Sequence, residues 1–406
     1  MVPKGWERMA LDEISDVIDC KHRTPKYVKN GIPLVSPGTI KWGSIDLESP
    51  TKRVTVEEYE SLMDHCTVEC GDLVLSRNQS VGIASFVDSD KPFVLGQDTV
   101  LVKPKGSDPR FLFYNLQSPD TQKTIFKLAG GSTFSRINLG DIRKLKTIYP
   151  PLAEQQKIAK ILSTWDKAIS TTERLIENST QQKKALMQQL LTGKKRLLDD
   201  EGKRFESEWK EVTLEEAVKY RRGSFPQPYG NPEWVDEVNG YPFVQVYDIA
   251  KNMKLKPDTK IKISDAAIDK SVFIPKETII VSLQGSIGRV AITQYDAYVD
   301  RTILLFQEFL VPLNKMFFAY IIQELFEIEK TKAPGGTIKT ITKAVLSNFK
   351  VLIPPLKEQQ KIATVLTNAD KEIELLEQQL ADLQQEKKAL MQVLLTGKKR
   401  VVVDEC

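Results

Sequence analysis

At 406 residues with 41% hydrophobic content, the chain is long enough for two well-buried domains of ordinary size. A net charge of +4 excludes a strongly basic molecule, so any affinity for nucleic acid has to come from local patches. No run of eighteen or more apolar residues occurs, and Met1-Val2-Pro3-Lys4-Gly5-Trp6 lacks the apolar core of a signal peptide, which excludes a membrane span and points to a cytoplasmic location.

Residues 1–150 read as a mixed α+β domain. A basic, hydroxyl-bearing run, Lys21-His22-Arg23-Thr24-Pro25-Lys26, comes first. The apolar segment Asp72-Leu73-Val74-Leu75-Ser76 follows as a buried strand and leads into the polar loop Arg77-Asn78-Gln79-Ser80. Thr133-Phe134-Ser135-Arg136 is a second basic, hydroxyl-bearing loop. Residues 151–203 then form a helix and linker: Pro150-Pro151 opens the helix, Leu152 to Thr192 holds no Gly or Pro, and Gly193 ends it ahead of Lys-Lys-Arg. Residues 204–353 read as a second α+β domain, with Tyr220-Arg221-Arg222-Gly223-Ser224, the strand Thr278 to Ser282, the loop Leu283-Gln284-Gly285-Ser286 running to Arg289, and Thr337-Ile338-Lys339-Thr340. Residues 354–406 are a second helix, Leu356 to Thr396, and a tail.

The two halves are copies of one plan. Lys183-Lys184-Ala185-Leu186-Met187-Gln188-Gln189-Leu190-Leu191-Thr192-Gly193-Lys194-Lys195-Arg196 recurs as Lys387 to Arg400, with Val393 for Gln189 as the only change. Pro150 to Ala159 returns as Pro354 to Ala363, differing at Ala153 and Lys357. The globular parts have diverged further but keep their landmarks in order: Trp6 and Trp209, Ser80-Val81-Gly82 and Ser286-Ile287-Gly288, Gly130-Gly131-Ser132-Thr133 and Gly335-Gly336-Thr337. Nearly invariant helices beside divergent domains suggest a common frame carrying two different readers.

A helix of roughly forty residues is about 60 Å long and needs a partner to cover its apolar stripe. Ile362, Leu366, Ala369, Ile373, Leu376, Leu380, Leu383, Lys387, Leu390 and Leu394 follow alternating steps of four and three, the seam of a coiled coil. The first copy offers Ile158, Leu162, Trp165, Ile169, Thr172, Ile176, Ser179, Lys183, Leu186 and Leu190, weakened at its centre by Thr172 and Ser179. Two equivalent domain-plus-helix units satisfy both seams by packing as an antiparallel coiled coil about a pseudo-two-fold axis. The motifs shared at the helix ends, Glu-Gln-Gln-Lys and Leu-Leu-Thr-Gly-Lys-Lys-Arg, are expected on the outer face, as docking surface.

The basic and amide-bearing loops supply the groups that phosphates and base edges require. The candidate DNA contacts are Lys21, Arg23, Thr24, Lys26, Arg77, Asn78, Gln79, Ser80, Thr133 and Arg136 in the first copy. In the second they are Arg221, Arg222, Ser224, Gln284, Ser286, Arg289, Thr337, Lys339 and Thr340. A solvated loop is the plain alternative for each.

The sequence resembles the specificity subunit of type I restriction-modification systems, through Pro-Pro-Leu-x-Glu-Gln-Gln-Lys-Ile-Ala, the Lys-Lys-Ala-Leu-Met-Gln-x-Leu-Leu-Thr-Gly-Lys-Lys-Arg ends and the two-copy plan, over the whole chain. The resemblance implies two target recognition domains, each reading half of a split, asymmetric site on double-stranded DNA, and a helical spacer that sets the gap. It also implies no catalytic residues, docking of two adenine-methylating modification subunits, and restriction/translocase subunits that join them. S-adenosylmethionine, ATP and Mg would then be used by those partners, with no cofactor held by this chain.

An enzymatic reading has little to rest on. No Gly-x-x-x-x-Gly-Lys-Ser/Thr loop occurs, and Asn231-Pro232-Glu233-Trp234 departs from the amino-methyltransferase motif at Glu233. Four cysteines, Cys20, Cys66, Cys70 and Cys406, are too scattered for a disulfide scaffold and read as free thiols. Cys20-x-His22 and His65-Cys66-x-x-x-Cys70 could offer metal ligands, but the second copy has no counterpart and no metal is expected. The remaining alternative is a coiled-coil scaffold whose end domains bind proteins.

Overall fold

The structure, a computed structural model, describes residues 2–130, 135–331 and 341–403. It divides into two compact units, the first of them discontinuous in sequence. The first joins residues up to Thr172 to those from Gln379 onward, and the second is Glu173–Gln378.

In the first unit a five-stranded sheet runs in the order Ser15–Asp19, Thr99–Pro104, Leu73–Ser76, Ala84–Phe86, Gly43–Ser44. Leu73 pairs with Val102 and Leu75 with Val100, and these four face the helices Pro109–Gln117 and Pro119–Leu128. Val74 and Leu101, between them, face the opposite way, against the small sheet Arg53–Val54, Ile32–Val35, Val94–Leu95. Both faces are therefore covered, which is why the strand reads as an unbroken apolar run instead of an alternating one.

The second unit repeats this. Its sheet order is Val218–Arg222, Ile303–Phe309, Ile279–Ser282, Val290–Ile292, with Ile279 opposite Phe306 and Ser282 opposite Ile303. Ile279, Val281, Leu304 and Phe306 pack on the helix Lys315–Thr331. Ile280, Ile303 and Leu305 pack on a second sheet that contains Tyr241–Val244 and Ala297–Val299.

The long helices are Leu152–Leu190 and Leu356–Leu394. Every predicted seam position, Thr172 and Ser179 included, is buried or half-buried. Within each unit the two helices run antiparallel. In the first, Asp166 meets Lys387 at 2.5 Å and Glu154 meets Arg400. In the second, Asp370 meets Lys183 at 2.5 Å and Glu358 meets Arg196 at 2.6 Å.

These contacts correct the placement of the shared motifs on an outer face. Glu154, Gln155, Glu358, Gln359, Leu190, Leu191, Leu394 and Leu395 are all buried. The Gln155 amide donates to Pro150 O and accepts from Asp108 N, both at 2.9 Å. Gln359 donates to Pro354 O and accepts from Asn314 N. Glu358, with no exposure, takes both ends of the Arg196 guanidinium and Trp209 Nε1 at 3.1 Å. Arg400 does the same for Glu154 and lies over the Trp6 ring. Each helix therefore ends on the domain of the other copy, and the motifs are alike because both copies need the same socket. Gly193 at φ +70° and Gly397 at φ +66° end the helices in the left-handed region against Trp209 and Trp6.

Candidate nucleic-acid interface

In both units three loops come together at one end of the main sheet. In the first they are Arg77–Gly82, the turn Gly96–Asp98, and the backbone around Arg136–Ile137. Asn78 and Arg136 form a backbone bridge, Ile137 N donates to Arg77 O, and Arg77 N donates to Asp98 O at 2.8 Å. In the second, Ile341 N donates to Leu283 O, and Leu283 N donates to Thr302 O at 2.8 Å.

The central loop has one shape in both copies. Gly82 N bonds Ser76 O and Gly288 N bonds Ser282 O, each at 2.9 Å. Gly82 and Gly288 sit at φ +77°, and a Cβ would fall 2.6 Å from Ile125 or 2.8 Å from Phe326, so the turn and the close helix both require glycine. That accounts for the Ser-Val-Gly and Ser-Ile-Gly landmarks. Gln79, at φ +57°, takes the left-handed position that Gly285 fills in the other copy. An exposed glutamine held there carries backbone strain.

The sequence candidates divide by what holds them. Arg77 is buried, its guanidinium on Asp19 at 2.9 and 3.0 Å and on Ile137 O, so it is structural in this state. Lys21 pairs with Asp64 at 2.6 Å, and Arg23 with Glu58 at 2.5 Å, where the guanidinium lowers the Glu58 carboxyl to about 2. Lys26 is exposed and binds Glu58 only through its backbone. The basic run is thus largely matched by Glu58 on the helix Val56–Met63 and by Asp64 at its C-cap. Thr24 accepts from Gln97 at 3.4 Å, Arg136 pairs with Asp98 at 2.7 Å, and Asn78 and Ser80 are half-exposed.

In the second unit Arg221, Gln284 and Ser286 are exposed. Arg222 is tied to Ile341 O, Ser224 to Lys270 O, and Arg289 to Ile249 O on another side of the loop. Thr133, Thr337, Lys339 and Thr340 lie outside the described residues.

Several polar groups at the same place escaped sequence reading. In the first unit Ser36 and Gln97 join the candidates Arg23, Asn78 and Gln79 around a cavity of about 280 Å³. At the corresponding place the second unit carries Tyr229, Gln245, Tyr247 and Arg301. The register makes these equivalent, since Leu34 beside Val94 matches Phe243 beside Tyr298. Ser36 thus answers to Gln245, Gly38 to Tyr247, and Gln97 to Arg301. The only available signal was a short polar break between two apolar strands.

Asp19, Cys20 and His22 have ligand-type atoms within 4.8 Å of one another. The Arg77 guanidinium on Asp19 already supplies the cation there, so the cluster reads as an ion pair with His22 at its edge. Cys70 bonds Asp90 instead of His65 or Cys66.

The family model for the type I restriction modification DNA specificity domain matches twice, over residues 3–179 and 206–385. The chain belongs to this family. A Methanocaldococcus jannaschii protein assigned as the specificity subunit of type I restriction enzyme MjaX is 29% identical, over 98% of this chain and 95% of its own. The MjaVIII specificity subunit of the same organism is 27% identical, over 98% and 94%. The fold is shared with a chain solved in a type I R-M system (TM-score 0.61, 16% identity, 98% and 100% covered). It is shared as well with the type I S subunit of M. genitalium (TM-score 0.56, 16% identity, 97% and 99% covered). As a type I specificity subunit the chain binds DNA, acts within a complex and is not itself catalytic. Among the described residues no helix is long and apolar enough to cross a membrane.

Proposed function

We propose that residues 1–150 and 204–353 act as two target recognition domains, each reading one half of a split, asymmetric DNA site through the three-loop end of its sheet, while residues 151–203 and 354–406 supply the spacer. The observation that carries this reading is the same loop scaffold fitted with different side chains: a polar recess beside Gln79 in one unit, an aromatic and amide cluster beside Gln284 in the other. Divergent readers on a duplicated frame select unlike half-sites.

Two methyltransferase subunits dock on this frame, and restriction/translocase subunits join them. The chain holds no cofactor itself, and S-adenosylmethionine, ATP and Mg serve the partner subunits. In this reading Lys26, Gln79, Arg136, Arg221, Gln284 and Ser286 contact DNA directly, whereas Arg77 and Arg222 hold the loops.

Binding of the full chain to random and cognate duplex across a salt series tests this. Affinity for both falls steeply with salt, because each neutralised phosphate releases counterions. A flat response sinks the DNA reading and leaves protein docking at the domain ends in its place.

A further inference from the structure

Asp300, 2% exposed, accepts from Thr302 N at 2.8 Å, Thr302 Oγ1 at 2.6 Å and the Tyr229 hydroxyl at 3.0 Å. A carboxylate can only accept, so Tyr229 spends its one proton there and meets its next neighbour as an acceptor. That neighbour is Gln245 Nε2, at 2.5 Å. The amide is thereby oriented, with its Oε1 toward Tyr247, whose hydroxyl donates to it. Burial and the Asp300 charge raise the Tyr229 phenol to about 12, so the proton this relay needs stays in place at neutral pH.

After these two bonds the Gln245 amide keeps one N–H and one oxygen lone pair, fixed relative to each other. The cluster is open to solvent: Tyr229 is 48% and Tyr247 37% exposed, and the exposed Arg301 guanidinium stacks 5.5 Å from the Tyr229 ring. A Cβ added to loop glycine Gly285 would lie 3.9 Å from Val246, next to Gln245, so the group lies beside the loop already assigned to DNA.

A preset donor and acceptor side by side match the major-groove edge of adenine, which offers N7 as acceptor and N6 as donor. We propose that Gln245, oriented by Tyr229 and Tyr247, specifies an adenine in the half-site read by the second domain. This rests on the DNA-reading function above. In the first domain Ser36 and Gly38 stand in place of Gln245 and Tyr247, so that half-site is read by other groups.

The test is selection of bound duplexes from a pool randomised over both half-sites, by the full chain with its partner subunits, followed by sequencing. Wild type requires adenine at one position of the second half-site. Gln245→Ala lowers that preference about tenfold to a hundredfold while the first half-site and the affinity for random duplex are unchanged. Gln245→Glu, which can only accept, moves the position toward cytosine, whose N4 only donates. Tyr247→Phe, which frees the amide to turn, weakens the same position by a smaller factor and gives the answer if Gln245→Ala does not fold. Unchanged discrimination at every position in these variants, or relaxation at a base other than adenine, overturns the proposal. Loss of all sequence preference by wild type would instead overturn the DNA-reading function beneath it.

Discussion

Arg77 and Arg222 hold equivalent carbonyls of the two copies from different strands. Arg77 follows the strand Leu73–Ser76 and reaches Ile137 O at 3.3 Å, while Arg222 ends the strand Val218–Arg222 and reaches Ile341 O at 2.9 Å. Asp19 lies opposite Val100 as Arg222 lies opposite Leu304, so Asp19 occupies the place of Arg222 and Leu283 that of Arg77. The guanidinium is kept and its point of attachment has moved. Sequence reading placed Arg77 correctly in a loop after a strand, but residue type alone could not tell a base contact from a buried clasp. Arg77→Leu strands Asp19 and the Ile137 carbonyl and is expected to destabilise the first unit by about 3 kcal/mol. Adding Asp19→Arg imports the arrangement of the second unit and should recover most of the loss. Urea unfolding of both variants decides it, and a double variant no more stable than the single one counts against the exchange.

At the scale of the helices, boundaries and seam were legible because Pro-Pro, Gly and the alternating step of four and three are local signals. The socket was not, since Glu-Gln-Gln and Gly-Lys-Lys-Arg find their partners only across the duplication. The same applies to Lys183 and Lys387, charged residues in an apolar seam. Each is held by an aspartate that also accepts a tyrosine hydroxyl: Tyr320 on Asp370 at 2.5 Å, Tyr114 on Asp166 at 2.6 Å. Burial first, then the aspartate, push both phenols well above the ordinary tyrosine range. The unfolded chain ionises these groups near pH 10 and the folded one does not, so their contribution is whole below about pH 10 and is lost as pH rises above it. Thermal unfolding midpoints should fall between pH 9 and 11. In the double variant Tyr114→Phe/Tyr320→Phe the fall should be shallower, after an initial loss of about 1 kcal/mol for each hydroxyl bond removed. An equally steep fall in the variant would assign the alkaline sensitivity to other groups.

For the whole molecule, duplication was the most readable feature, while the interleaving of the copies was invisible. Repeats announce themselves by identity, whereas an exchange of helix ends leaves no mark on either copy. That exchange bears on how the spacer could be altered. Contacts within each unit end between Thr172 and Glu173 on the first helix and between Gln378 and Gln379 on the second. Four residues inserted at both points leave every socket, sheet and loop cluster with its own partners. Such an insertion adds about 6 Å of helix and roughly 40° of rotation, a phase change that coiled coils absorb by local unwinding. At about 3.4 Å per base pair, the proposed ruler then lengthens the gap between half-sites by one or two base pairs, with both half-sites unchanged. The selection used for Gln245 reads gap and half-sites together. An unchanged gap with intact half-sites would show that the helices do not measure the spacer, and altered half-sites would show that the units do not read independently.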